Sequence, residues 1–212
     1  MGTWYLVRHG ETEWNRTGRM QGHLGVPLNA EGRRQAIRLA GRLRGVEFSA
    51  IYASDLARAA ETAGIIADGR DLAVTPDSDL REFSGGEWEG LTLEEIETRY
   101  PGLLAERIEA GGNMGWSAPG GESAIDALQR VRRFSTRANA KLEAGENILV
   151  VAHGGTLRAL VVCLLDLADT DFWKFQVDNT ALAIISDHDG SRVLESWNDT
   201  HHLADVDSSD CA

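Results

Sequence analysis

The sequence predicts an α/β fold: a three-layer sandwich with a mainly parallel central sheet, helices on both faces, and a small cap insertion. Short apolar runs alternate with longer amphipathic stretches, the pattern of strand–helix–strand units whose crossovers make a sheet parallel. One run recurs as a motif, Leu6-Val7-Arg8-His9-Gly10-Glu11-Thr12 and later Val150-Val151-Ala152-His153-Gly154-Gly155-Thr156. Each copy reads as a strand that delivers a histidine to its carboxyl end, where open α/β sheets place their ligand crevices. Asp189-Gly190, between Ala181–Ser186 and Arg192–Trp197, is a hairpin signal that adds antiparallel strands.

The elements follow in order. Thr3–Val7 is a buried strand, and Ala30–Leu43 an amphipathic helix with Ala36, Leu39, Ala40 and Leu43 on one face. Ser49–Ala53 is a second strand, after which Ser54-Asp55 offers N-cap oxygens to a helix running to about Ala67. Leu72–Thr75 is a third strand, ended by Pro76. From Phe83 to Pro119 the pattern loosens: Gly85-Gly86, Gly90, Pro101-Gly102 and Gly111-Gly112 break it into short helical pieces. This stretch is expected to cap the sheet's edge. Glu122–Leu142 is the longest helical stretch, with Ile125, Leu128, Val131 and Phe134 as its buried stripe. Ile148–Ala152 and Gly155–Leu165 are the strand and helix of the second motif copy. The expected organisation is one domain over residues 1–203, including the cap at about 83–119, then a short acidic tail at 204–212.

Bulk composition narrows the function. The 212 residues, 42% hydrophobic and 25% charged, suit a soluble globular domain with a sizeable core. A formal net charge of −12 argues against nucleic acid or an anionic membrane as partner. No run approaches the roughly 20 apolar residues of a membrane span. Cys163 lies in an apolar run and Cys211 in the tail, so no disulfide framework is expected and a reducing cytoplasm fits. A homodimer is compatible with an exposed edge strand or with the cap.

Chemistry enters through residue order. Arg8-His9-Gly10 is followed by Thr12, Asn15 and Gln21-Gly22, then Ser54-Asp55-Leu56-Ala57-Arg58. Next come Leu80-Arg81-Glu82 with Gly85-Gly86-Glu87-Trp88-Glu89-Gly90, and finally His153-Gly154-Gly155. Over nearly the whole chain this order resembles the histidine phosphatase superfamily, also called phosphoglycerate mutase-like. The resemblance implies His9 as a phosphorylated nucleophile and Glu82 as proton donor and acceptor. Arg8, Arg58 and His153 would complete the phosphate pocket, with Thr12, Asn15, Gln21, Gly22 and the Gly154 backbone lining it.

The chemistry wants these residue types. An attacking imidazole nitrogen must be unprotonated, with its other nitrogen held by an acceptor that sets the tautomer. A transferring phosphoryl group spreads charge over three oxygens, which guanidinium forks and a cationic imidazole stabilise without a metal or other cofactor. A carboxylic acid must protonate the leaving alkoxide and later deprotonate water. A helix starting behind Gly154 would aim its amides at the same anion. The expected activity is therefore metal-independent hydrolysis of a small phosphorylated metabolite, of a broad-specificity, α-ribazole phosphate or phosphoserine type.

Two other readings stand beside it: a cofactor-dependent phosphoglycerate mutase, and a non-catalytic phospho-ligand binding module. Between Phe83 and Pro119, Arg99 and Arg107 face Glu87, Glu89, Glu94, Glu95, Glu97, Glu106 and Glu109, a poor setting for a bisphosphate. The Gly-Gly after the second histidine also departs from the Gly-Asn usual in dedicated mutases. Pure binding needs neither nucleophile nor acid. Ser54 sits in no Gly-x-Ser-x-Gly elbow. His201-His202 with Asp205 is expected to form a packed loop near the pocket, because adjacent histidines in an extended segment point to opposite faces. Trp88, Met114 and Trp116 are either cap core or a hydrophobic wall for the leaving group.

Overall fold

A computed structural model describes residues 2–110, 113–140, 145–188 and 191–204. Six strands form one sheet in the order β3-β2-β4-β1-β5-β6. They are β1 (Thr3–Arg8), β2 (Ala50–Ala53), β3 (Val74–Pro76), β4 (Asn147–Ala152), β5 (Leu182–His188) and β6 (Ser191–Asp199). The first four are parallel, while β5 and β6 form the expected antiparallel addition beside β1. The turn residues Asp189-Gly190 lie outside the described residues.

Helices cover both faces because β1 alternates with a period of two. Trp4 and Leu6 pack with α6 (Ala124–Asn139) and α7 (Gly154–Leu164) in one core, alongside Tyr52, Phe134 and Leu160. Val7 turns the other way, to α2 (Ala30–Arg42) and α3 (Ala57–Ala67), with Leu39, Ala63 and Ile66. The central strands β2 and β4 are buried along nearly their whole length, which is why they read as unbroken apolar runs. Two short helices, α4 (Leu93–Arg99) and α5 (Leu103–Glu109), follow single helical turns at Ser78–Leu80 and Gly86–Trp88. A four-residue α1 (Glu13–Arg16) follows β1. Among the described residues no helix is long and apolar enough to cross a membrane.

Several local expectations need correction. Ser54-Asp55 does not cap α3: Leu56 holds the N-cap position, with no side-chain cap. Tertiary partners claim both side chains, since Ser54 Oγ lies 2.8 Å from His153 Nε2 and Asp55 takes both ends of the Arg81 fork. The third strand starts at Val74 and includes Pro76, which the edge of a sheet tolerates. Helix α6 starts at Ala124 behind a Ser123–Asp126 capping box, and its described part ends at Asn139; Leu142 lies outside the described residues. Ile125 is 42% exposed and leaves the buried stripe, whose place Ala124 and Ala127 take. Residues 205–212, with Asp205 and Cys211, lie outside the described residues.

The loop after β1 rests on the start of α2. A Cβ on Gly10 would lie 2.4 Å from the Gly32 carbonyl oxygen, and one on Gly32 would lie 2.1 Å from that of Glu11. Backbone therefore meets backbone, and this contact sets the path of the chain leaving His9. Replacing a helical glycine by alanine ordinarily stabilises by about 1 kcal/mol. Gly64→Ala, on the open face of α3, should do so. Gly32→Ala should instead destabilise the protein and lower its urea midpoint, because rigid backbone would have to move.

Candidate active site

Adjacent parallel strands bring the two motif copies together. β1 pairs with β4 in the register Arg8↔Ala152, so His9 and His153 emerge side by side with ring centroids 5.1 Å apart. Both are buried, His9 at 2% and His153 at 0% exposure. The backbone of His9 is held firmly: its amide donates to the Ala152 carbonyl at 2.9 Å, and Asn179 Nδ2 donates to its carbonyl at 3.0 Å. The ring is oriented from within the loop. His9 Nδ1 lies 2.7 Å from the Gly10 carbonyl oxygen, which can only accept, so Nδ1 carries the proton. Nε2 is left with its lone pair.

Burial, reinforced by the neighbouring Arg8 and Arg58 charges, holds the pKa of His9 well below the ordinary histidine value. The same forces act on His153: burial first, then Arg58, His9 and Arg8. His153 Nε2 bonds to Ser54 Oγ, while its buried Nδ1 has no partner among the described residues. Burial and the neighbouring arginines thus favour the neutral form of both rings, against the expected cationic imidazole.

The two arginines are positioned by carbonyls. Arg58, fully buried on the first turn of α3, donates to the Gly22 and Leu24 carbonyls at 2.8 and 3.0 Å. Glu61, on the next turn of the same helix, pairs with Arg33 and not with Arg58. Arg8 donates to the Val177 carbonyl at 2.6 Å. Burial lowers the pKa of both, that of Arg58 to about 10, so each remains a cation at neutral pH.

Glu82 comes from the loop after β3. Its Oε2 accepts from the Gly155 amide at the start of α7, 3.2 Å away, and its Oε1 from the Phe83 amide at 3.0 Å. A Cβ at position 155 would lie 2.5 Å from Oε1, so only glycine lets the carboxylate reach the helix terminus. The close approach is thus at Gly155; Gly154 stands beside Arg8. Gln21 and Gly22 line the crevice together with Arg8, His9, Arg58 and Glu82. Thr12 and Asn15 stand behind it: the Thr12 hydroxyl lies 2.9 Å from Gln21 Oε1, and Asn15 Oδ1 accepts from Thr12 N and from Asn179. Every sequence-predicted residue therefore belongs to one neighbourhood, some as crevice wall and some as its support.

Sequence reasoning missed Arg158. It lies one helical turn beyond Gly155, so following the first turn of α7 would have found it. It also missed Asn179, whose only signal is its distant fold neighbour. The placement of charge in the cap needs correction. Glu95 pairs with Arg19, Glu87 accepts from the Tyr100 hydroxyl, Glu97 from the Gly102 amide, and Glu89 from the His23 and Gly85 amides. Arg107 alone of the cap's charged residues turns into the crevice, whose walls carry Arg8, Arg19, Arg58, Arg107 and Arg158 against the single carboxylate of Glu82. Neither Arg107 nor Arg158 has an ion-pair partner among the described residues. Glu87, Glu94, Glu97, Glu106 and Glu109 are exposed, whereas Glu89 packs against Gly22 and Gly85, and its charge partly opposes the burial that lowers the pKa of the nearby Arg58.

Trp88 and Met114 are buried at 1% and 8%, Trp88 with Ile96 and Ala118 in a small cap core and Met114 in the main core. Trp88 and Trp116 also form part of a cavity wall, so packing and wall coincide. His201 is exposed, whereas His202 is half-buried with Nε2 3.2 Å from Thr180 Oγ1. Among the described residues no group of three or more His, Cys, Asp or Glu is placed to hold a metal ion.

These features place the chain in a known class. The family model of the histidine phosphatase superfamily (branch 1) matches residues 4–200. Phosphoglycerate mutase-like protein 4 of Arabidopsis thaliana is 37% identical, with 95% of this chain and 86% of that protein aligned. The metal-independent phosphoserine phosphatase of the same plant is 33% identical over 95% of this chain and 83% of its own. The crystal structure of the α-ribazole phosphatase from Shigella flexneri superposes with a TM-score of 0.82 at 32% identity, covering 93% of this chain and 96% of that one. The chain belongs to the histidine phosphatase superfamily. Its kinship with phosphatases makes it a hydrolase-type enzyme, and the mutase-like relatives do not support the alternative better.

His202 reports on the packing beneath this site, since Thr180 donates its amide to the Arg8 and His9 carbonyls. Burial first, then Arg42, lowers the pKa of His202 to about 4, while Asp199, bound to Arg42, partly opposes the shift. The unfolded chain, with an ordinary value near 6.5, binds that proton more readily. Stability should therefore decline as pH drops from about 6.5 towards 4 on account of this group. Urea unfolding of wild type and His202→Gln across that range is expected to show a shallower decline in the variant. The rest of the protein's titration is common to both.

Proposed function

We propose that the protein hydrolyses small phosphate monoesters by passing the phosphoryl group through His9 Nε2. The observation that carries this reading is the His9 tautomer: Nδ1–H is tied to the Gly10 carbonyl, and a neutral ring offers Nε2 to a crevice lined with arginines. In the first step the Nε2 lone pair forms a bond to phosphorus as the P–O ester bond breaks. Glu82, protonated, gives its proton to the departing alkoxide. In the second step water attacks phosphorus as the P–Nε2 bond breaks and returns its electron pair to His9; the water's proton passes to the Glu82 carboxylate, and phosphate leaves. Arg8 and Arg58 hold the phosphoryl oxygens throughout. An entering phosphate dianion opposes the forces that keep His153 neutral and so draws a proton to that ring. Asn15 and Thr12 support Gln21 and Gly22, while the Gly154–Gly155 turn brings amides to the same spot. Charge neutralisation comes from arginine, and the setting is the cytoplasm.

His9→Ala should abolish turnover and the acid-labile phosphoryl label acquired from substrate, with the fold intact by circular dichroism; label on another residue would refute the assignment. Glu82→Gln should lose about 10²–10⁴-fold in kcat on alkyl phosphates and markedly less on p-nitrophenyl phosphate, which needs little protonation of its leaving group. Activity should survive excess chelator. With Arg107 and Arg158 facing the crevice, charge alone no longer separates hydrolysis from mutase chemistry. Phosphate release measured in parallel with an enolase-coupled mutase assay is expected to exceed isomerisation of phosphoglycerate by orders of magnitude.

A further inference from the structure

The crevice does not end at the phosphate pocket. Beneath the cap lies a second cavity of about 470 Å³, and Met20, Phe83, Gly85, Arg107 and Trp173 line both spaces. Its size is roughly three times that of the ~150 Å³ cavity that takes up benzene. The far wall is apolar, formed by Trp88, Trp116, Leu93, Leu104 and Ile108. The one carboxylate along it, Glu122, is already paired with Arg130. Trp88 is fixed by its own small core, with the Trp116 ring 5.4 Å from it, so the wall stands without anything filling the cavity.

The route from ester to cavity is marked. Phe83 follows Glu82 directly and stacks on Phe172 at 5.3 Å and 18°. Arg107 stands at the neck, its guanidinium 5.9 Å from the Trp88 ring and 6.0 Å from the Trp116 ring. The organic group borne on the ester oxygen next to Glu82 therefore meets aromatic faces and a flat cation, then an apolar chamber. A small leaving group that is polar throughout gains little there and leaves that apolar surface unfilled.

Resting on the phosphomonoesterase reading above, we infer that the preferred leaving group is a bulky, ring-bearing, largely apolar alcohol that extends past Arg107 into the cavity between α4, α5 and Trp116. Small, fully polar esters such as phosphorylated amino acids and hydroxy acids are then the poorer substrates.

The test compares kcat/KM within pairs of similar leaving-group acidity: phenyl against 1-naphthyl phosphate, and O-phosphoserine against 2-(1-naphthyl)ethyl phosphate. The naphthyl member of each pair should be favoured by at least about tenfold, the low end of what added apolar bulk contributes in a fitted pocket. Trp116→Ala, and independently Ile108→Asp, should bring that ratio down to within about twofold. Ile108 is 77% exposed, so its replacement opens no core cavity and keeps the test available if the tryptophan variant does not fold. Equal values within the pairs, a preference for O-phosphoserine, or a ratio unmoved by either variant would overturn this inference and leave the phosphomonoesterase reading standing. Absence of His9-dependent turnover on all four esters would overturn that reading itself.

Discussion

The pairing of β1 with β4 is the constraint on which the site depends. Two parallel strands held in one register place His9 and His153, each one residue beyond its strand, at the same height on the same edge. A slip of one residue would turn every side chain of β1 to the opposite face. Trp4 and Leu6 would leave the α6–α7 core, and Val7 the core beneath α2 and α3. Register is thus enforced by apolar packing on both sides of the sheet, far from the chemistry.

That packing has to bear a cost. Arg8, Arg58 and two histidines share a buried space, and desolvation opposes charge on each of them. The arginines are held by carbonyls of the 22–24 loop and of Val177, not by carboxylates. A carboxylate would cancel the charge and compete with phosphate for the same donors. A carbonyl fixes direction and leaves the charge available. On the surface the opposite holds: Arg16, Arg34 and Arg81 lie in exposed carboxylate pairs that contribute little to stability. A protein of net charge −12 can therefore carry a cationic crevice, since what an anion meets within a Debye length of about 8 Å is local.

Loops join the crevice to the stretch at 83–119. Glu89 accepts from the amides of His23 and Gly85, and His23 Nε2 donates to the Glu82 carbonyl at 2.7 Å. The segment that supplies Gln21 and Gly22 is thereby tied to the segment that supplies Glu82 and Phe83. Glu82, the arginine-holding carbonyls and the entrance to the second cavity form one connected shelf, so their relative positions are set together.

The sequence by itself determined the layer architecture, because periods of two and of helical spacing record which faces must be dry. Motif order also made the family legible, and the residues it singled out, from Arg8 and His9 through Arg58 and Glu82 to His153, come together at one crevice. Tertiary structure alone decided how groups distant in the chain compete for the same partners. Ser54 reads locally as a helix cap, yet its hydroxyl is taken by His153, ninety-nine residues away. Ile125 fits the helical stripe, but the wall opposite it is open. The cap's glutamates count as a negative field along the chain, while in space most of them are exposed, Glu89 and Glu97 accept from backbone amides, and Arg107 lines the crevice. Local pattern encodes propensity and burial period; the direction of a charge depends on which donors the fold brings within hydrogen-bonding reach.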